Sequence, residues 1–291
     1  MTNRRTFLQQ AGLISAGLFV KPDCLFAGPI TNVGLQLYSL REQLPKDVKG
    51  VIAKVAKAGY REVETYGFSK DSGYWGLKPK EFKALLDANN LYSPSGHYGI
   101  DQFLKEGKTD DLHITIDAVK TLGSKYLTVP YLGEEYRKSP DDMKKLAEKF
   151  NKAAEVCKKA GIKFAYHNHD FEFKPISGVR LYDVLLKETD KALVKFEADL
   201  YWVVRAKQDP IALFKKYPGR FVMFHIKDMD KNNNGLNTEV GNGAIDFKKI
   251  YAKGKIAGVE HVFVEQENFT NIDPYVSITK SAAYVKNNIL K

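Results

Sequence analysis

Cysteine is nearly absent from this chain: 291 residues include two, Cys24 and Cys157. That excludes a disulfide scaffold or a thiolate metal site, since each needs several cysteines at set spacings. Tryptophan also occurs twice, and histidine only six times. No apolar run approaches the roughly 20 residues that cross a bilayer. After the first apolar run, VGLQLYSLREQL (33–44) lacks the glycine fingerprint of a dinucleotide-binding sheet. The composition, 44% apolar and 27% charged, gives no sign of disorder or low complexity.

The first thirty residues read as a separate segment. Arg4-Arg5 precedes Thr6, Phe7 and Leu8; a weakly apolar run, Ala11 to Val20, follows, then Lys21-Pro22-Asp23 and the small residues Ala27 and Gly28. A basic start, a short apolar stretch and a small-residue cleavage region form a signal peptide. The order R-R-x-F-L resembles a twin-arginine export signal, so residues 1–28 are set aside and a periplasmic enzyme is expected. Export in the folded state lets a metal be loaded beforehand. Cleavage leaves Cys157 alone, so no internal disulfide can form, and stability must come from the core.

Charge is less informative. The chain carries +10, and loss of Arg4, Arg5, Lys21 and Asp23 leaves +8. Lysines such as Lys144-Lys145 and Lys158-Lys159 are spread over helix-like stretches, which reads as solvated helix faces and not as a nucleic-acid surface. No membrane contact beyond export is expected.

From residue 31 to 291 short apolar runs alternate with longer amphipathic ones. Strands are predicted over 33–39, 60–66, 92–97, 125–130, 162–167, 193–199, 220–225 and 259–265. Helices are predicted over 48–58, 80–88, 111–122, 140–160, 181–188, 210–217, 247–253 and 274–288. Eight apolar strands, each followed by a helix, predict a parallel sheet closed into a single-domain α/β (β/α)8 TIM barrel. The irregular feature is a polar loop over 228–244, DMDKNNNGLNTEVGNGA.

Chemistry in such a barrel sits at the C-terminal strand ends. Strand two ends at Glu64 and strand three at His97. Strand five ends at His167 and His169, strand six at Asp199, strand seven at His225, and strand eight at Glu265 and Glu267. Four of the six histidines fall at strand ends. Carboxylates mixed with imidazoles suit one divalent ion, Mn, Co, Mg, Fe or Zn. Such an ion polarises a carbonyl and stabilises an enediolate while neighbouring groups move protons. Trp202, three residues after Asp199, suits stacking on a sugar face, and Lys227 extends the polar end of strand seven. Gln36 and Tyr38 fit either a pocket floor or a packed interior. His113 and His261 read as structural or exposed.

The stretches GYREVETYG (59–67), YHNHDFEF (166–173), FEADLYWV (196–203), FHIKD (224–228), VGNGAIDF (240–247) and VFVEQE (262–267) carry a resemblance. Together they resemble the xylose-isomerase-like barrels of the sugar phosphate isomerase/epimerase superfamily, over nearly all of 31–291. The ketose 3-epimerase branch holds a metal by Glu, Asp, His and Glu on strands five to eight. The resemblance therefore implies His167, Asp199, His225 and Glu265 as metal ligands, with Glu265 and His167 catalytic; the residues alone leave His169 as the alternative strand-five ligand. His167 departs from that branch's glutamate, which puts a two-glutamate epimerisation in doubt. Glu172 or Glu64 then faces the substrate in place of the missing glutamate, alongside His97, His169, Trp202 and Lys227 from the strand-end reading. The strand-five Tyr-His-x-His is similar to inosose dehydratase-type members. A second departure is Trp202, where several relatives have histidine.

Three readings follow. The first is a metal-dependent isomerase or epimerase working on a small carbohydrate through an enediolate. The second is a metal-dependent lyase, dehydratase or hydratase acting on a 3-keto-sugar or keto-inositol. The third is a non-catalytic carbohydrate-binding barrel, against which the near-complete ligand set counts. A homodimer is suggested by the family and not by the residues.

Overall fold

The computed structural model describes residues 30–291, so the expected leader, 1–28, lies outside the described residues. The core is one closed barrel of eight parallel strands. These are β1 (Gly34–Gln36), β2 (Glu62–Thr65), β3 (Tyr92–His97), β4 (Tyr126–Val129), β5 (Lys163–His167), β6 (Val194–Asp199), β7 (Phe221–Ile226) and β8 (His261–Val264). Consecutive strands pair in parallel, and β8 closes on β1 by pairing Phe263 with Gly34 and Val264 with Leu35. Among the described residues no helix is long and apolar enough to cross a membrane.

Every expected strand is present, most with trimmed ends. The largest change is in β1, which stops at Gln36 and passes into a tight turn over Leu37–Leu40. The cause is local: the Gln36 amide oxygen accepts from the Tyr38 backbone N–H at 3.0 Å. Several helices start at side-chain caps. Asp47 accepts from Gly50 N–H at 2.9 Å and Ser139 from Asp142 N–H at 3.1 Å. Gly123 ends the helix Asp110–Leu122 in the left-handed region, at φ 73°, where any side chain would strain the backbone.

The outer helices bury one face each. Helix Pro140–Lys159 turns Met143, Leu146, Ala147, Phe150, Ala154 and Cys157 inward, at the three-and-four spacing of a helical stripe. Phe150 packs on Phe164 of β5 with ring centres 5.2 Å apart; burying such a ring contributes about 2–3 kcal/mol. Three short helices, Asp101–Glu106, Leu200–Arg205 and Gly254–Ala257, were not expected. Each spans under two turns, too few for an amphipathic period to appear in the sequence.

Strand alternation divides the barrel interior into levels. Tyr126, Ala165, Met223 and Phe263 belong to a separate apolar cluster. On the C-terminal side of this plug lies a polar level: Gln36, Glu64, Ser95, Thr128, His167, Glu197 and His225, all buried. The loop over 228–244 is ordered by Asp228. Its carboxylate accepts from the backbone N–H groups of Met229, Gly241, Gly243 and Ile245 at 2.8–3.1 Å. At Gly243 an added Cβ would fall 2.2 Å from the Asp228 carboxylate. The Gly241-Asn242-Gly243 turn is thus explained by wrapping Asp228.

Candidate active site

The ends of β5 and β6 are tied together by Asn168. Its amide oxygen accepts from Asp199 N–H at 3.2 Å and its amide nitrogen donates to Asp199 C=O at 3.3 Å. Asp199 then caps the short helix behind it, with Oδ1 accepting from Tyr201 N–H at 2.9 Å and Trp202 N–H at 3.3 Å. The other oxygen, Oδ2, is buried without any hydrogen-bond partner. It lies 3.8 Å from His167 Nε2, too far for a hydrogen bond.

Behind the two histidines stand carboxylates. His167 Nδ1 pairs with Glu197 Oε2 at 3.0 Å, while His225 Nε2 pairs with Glu64 Oε2 at 2.6 Å. His225 Nδ1 faces Glu265 Oε2 at 3.2 Å. His97 Nε2 also reaches Glu197, at 2.8 Å. Glu64 is held in turn by Gln36 at 2.7 Å and Ser95 at 2.6 Å. Each ring is therefore fixed in orientation through one nitrogen, leaving the other directed at Asp199 or Glu265.

The electrostatics follow from these contacts. Burial opposes charge on His225, but Glu197 and Glu64 outweigh it and hold the imidazole well above its ordinary value. Burial also opposes ionisation of Glu197, yet His225 and His167 keep that carboxyl well below the usual range. Glu64 moves the other way, pushed up by burial and by the neighbouring Glu197 charge. Burial lowers His167 to about 4 and carries His169 well below its ordinary value. Burial raises Asp199 to about 7 against the pull of Lys227. Glu265 stays ionised: burial opposes it, but Lys227, 3.4 Å away, and His225 hold it well below the carboxylate range.

A cavity of about 450 Å³ opens over this level, lined by His97, His167, His169, Trp202, Glu265 and Glu267 together with aromatic rings at its rim. Tyr38 lies at that rim, whereas Gln36 is buried beneath. Three residues expected around the substrate occupy other places. Glu64 sits under the floor as the partner of His225. Glu172 is fully buried, accepting from the Tyr166 hydroxyl and from His169 N–H at 3.0 Å, so it holds the strand-five turn in place. Lys227 is buried between Glu265 and Glu267, which consume its charge. His113 is exposed, and His261 is buried at the opposite end of the barrel.

Two groups among the described residues bring enough donor atoms together for an ion: Asp199, His225 and Glu265, and His97, His167, Glu197 and His225. In the second group the three rings already meet Glu197 Oε2 at 2.8–3.2 Å, distances that hydrogen bonds fill. The first group has the unpartnered Asp199 Oδ2, with His167 Nε2 facing it. A buried carboxylate oxygen without a donor is costly unless a cation completes it. The mixed oxygen and nitrogen donors fit a hard-to-borderline divalent ion.

A family model described as a xylose isomerase-like TIM barrel matches residues 52–280. The chain belongs to this family. A crystal structure described as a sugar phosphate isomerase/epimerase from Parabacteroides distasonis is 31% identical, with TM-score 0.75, covering 92% of this chain and 98% of that one. An inosose dehydratase from Geobacillus kaustophilus is 24% identical over 80% of this chain and 83% of its own length. The fold is also shared with a zinc-bound IOLI protein, at TM-score 0.66 and 16% identity, over 89% of this chain and 99% of that one.

Within this xylose isomerase-like barrel, one central residue escaped the sequence reading. Glu197 lies two residues before Asp199 on a strand whose alternate residues, Val194, Phe196 and Ala198, are apolar, so both carboxylates point inward. A second carboxylate at that spacing was the available signal. The rim aromatics Tyr66 and Tyr131 gave none, because rings near loops are common.

Proposed function

We propose that this family member is a divalent-metal-dependent enzyme that removes a proton beside the carbonyl of a keto-sugar or keto-cyclitol, and that elimination of the oxygen on the next carbon, as water or as an alcohol, follows. The observation that carries this reading is the site's donor set. His167 Nε2, Asp199 Oδ2, His225 Nδ1 and Glu265 converge beneath a cavity, and Asp199 Oδ2 has no other partner. These four would hold the ion, which when bound polarises the substrate carbonyl and stabilises charge developing on its oxygen.

The chain's own groups do the rest. Glu265 is ionised and lines the cavity, so it accepts the carbon-bound proton. The same carboxyl can return that proton to the oxygen on the next carbon as its C–O bond breaks, releasing water where that oxygen is a hydroxyl and the attached alcohol where it is glycosidic. One carboxyl suffices for this sequence. Two-faced epimerisation needs a second proton carrier, and the strand-five position holds His167, its Nδ1 engaged by Glu197. The similarity to inosose dehydratases points the same way.

A second reading, isomerase or epimerase, is supported by the 31% identical sugar phosphate isomerase/epimerase. The R-R-x-F-L leader supports action in the periplasm, where unphosphorylated substrates fit best. Incubation of the Mn²⁺-loaded protein in D₂O with keto-inositol, 3-keto-glucosides and free ketoses separates the readings by NMR and mass spectrometry. Loss of water, or release of the aglycone from a 3-keto-glucoside, supports elimination. Deuterium at a sugar carbon without mass loss supports isomerisation. Neither signal, with any divalent ion, would overturn the enzyme assignment.

A further inference from the structure

The rim of the cavity carries more aromatic surface than one keto-sugar ring at the ion site can use. On the β1–β2 side Tyr38, Tyr66 and Phe68 line it. Tyr38 meets Tyr66 edge-on at 5.1 Å, and Tyr66 meets Trp75 at the same distance. On the β4–β6 side Tyr131, His169 and Trp202 line it. Tyr131 meets His169 edge-on at 5.4 Å, and Phe171 stacks on His169 at 5.4 Å.

Both walls are held in place from behind. Arg41 lies over Tyr38 at 4.9 Å and donates to the Glu267 carbonyl at 3.1 Å. Arg137 lies over Phe171 at 3.9 Å and donates to the Tyr131 hydroxyl at 3.3 Å. Exposed rings held by cations and edge contacts lose little freedom when a ligand stacks on them, which is how a prepared site gains affinity. Tyr38 remains 40% exposed and Tyr131 53%. Trp202 Nε1 and His169 Nδ1, on the same wall, are buried without hydrogen-bond partners. Two unpartnered polar atoms beside stacked rings mark a place for a ligand with both a flat apolar face and polar edges.

Resting on the keto-sugar reading above, we infer that the substrate is a glycoside: the keto-sugar lies over the ion site, and the ring attached through its glycosidic oxygen lies between the two aromatic walls. A 450 Å³ cavity is in the range that encloses ligands of that larger size. The attached ring is recognised by its flat face, which either an aromatic aglycone or a second sugar supplies.

The test is calorimetric binding to the full-length Mn²⁺-loaded protein of a 3-keto-glucose, its methyl glycoside, its phenyl glycoside and its glucosyl glycoside. The phenyl or the glucosyl glycoside is expected to bind at least tenfold more tightly than the methyl one, and which does so identifies the source of the ring. In Tyr131→Ala and Tyr38→Ala that preference over methyl is expected to collapse toward onefold. Equal affinity for methyl, phenyl and glucosyl glycosides in the wild type would overturn the inference while leaving the keto-sugar reading intact. Binding of none of the four would overturn both. A preference that survives both variants would overturn the aromatic-wall site, and variants that alter only the oligomeric state would assign the rim to contacts between copies instead.

Discussion

The two ends of the barrel contain the same kind of pair and use it differently. At the C-terminal end Glu64 of β2 meets His225 of β7 at 2.6 Å. At the opposite end Glu62, two residues earlier on β2, meets His261 of β8 at 2.9 Å. Glu62 also accepts from the Tyr92 hydroxyl, and nearby Lys163 is paired with Glu260 and the Tyr126 hydroxyl. Two polar atoms at that end, His261 Nε2 and Arg220 Nε, lack a partner, and neither residue lines the cavity. At the C-terminal end Asp199, Glu197, His169 and Trp202 each have an unpartnered buried atom, beside an open cavity. A buried histidine–carboxylate pair is therefore no mark of function by itself. What distinguishes the site is a cluster of unsatisfied donors and acceptors in the wall and beneath the floor of a cavity.

The sharpest way to break this contrast is at the site. Asp199→Ala should reduce bound metal, read by elemental analysis, from about one equivalent to a small fraction. Glu265→Gln should lower turnover by at least ~10³-fold, because it removes the proton carrier. Full activity in Glu265→Gln would put the chemistry elsewhere. Next in size is Glu197→Gln, which weakens the hold on His167. Metal affinity should fall about 10–100-fold, the usual cost of losing an outer carboxylate, with the fold retained by circular dichroism.

At the other end Glu62→Ala should leave metal content unchanged and lower stability by about 3 kcal/mol, the cost of breaking a buried pair. Chemical denaturation reads the stability, and loss of metal in this variant would erase the distinction between the two ends. The smallest effect concerns Glu172, which burial raises to about 7. Its unfolded value is near the ordinary 4.5, so between these values the folded state holds more protons than the unfolded one. Stability from this group is present below about 4.5 and is lost as pH rises through about 7. Glu172→Gln should therefore gain melting temperature relative to the wild type at pH 8 compared with pH 5. An equal difference at both pH values would remove Glu172 as a titrating group.

Much of this was legible in the sequence because barrel geometry converts position into location. All eight strands were visible as apolar runs, and the strand-end rule gathered Glu64, His97, His167, His169, Asp199, His225, Glu265 and Glu267 at one end; the resemblance, and not the rule, singled out four of them as ligands. Depth was not legible. Glu64, Glu172 and Lys227 look like substrate contacts when placed only at strand ends, but their side chains are consumed by His225, His169 and two glutamates beneath the cavity. Glu197 was missed for the converse reason, since a charge inside an apolar strand is read as the strand's interruption unless its neighbour two residues on is considered. The Asp228-centred loop illustrates a third limit. Four backbone hydrogen bonds to one carboxylate leave only glycines and asparagines in the sequence.

The most direct test of the central claim is anomalous diffraction from crystals of the protein grown with Mn²⁺ or Zn²⁺. The account predicts one strong peak bounded by His167 Nε2, Asp199 Oδ2, His225 Nδ1 and Glu265, lost in Asp199→Ala. A peak centred on His97 and Glu197, or no peak at either metal's edge, would contradict it.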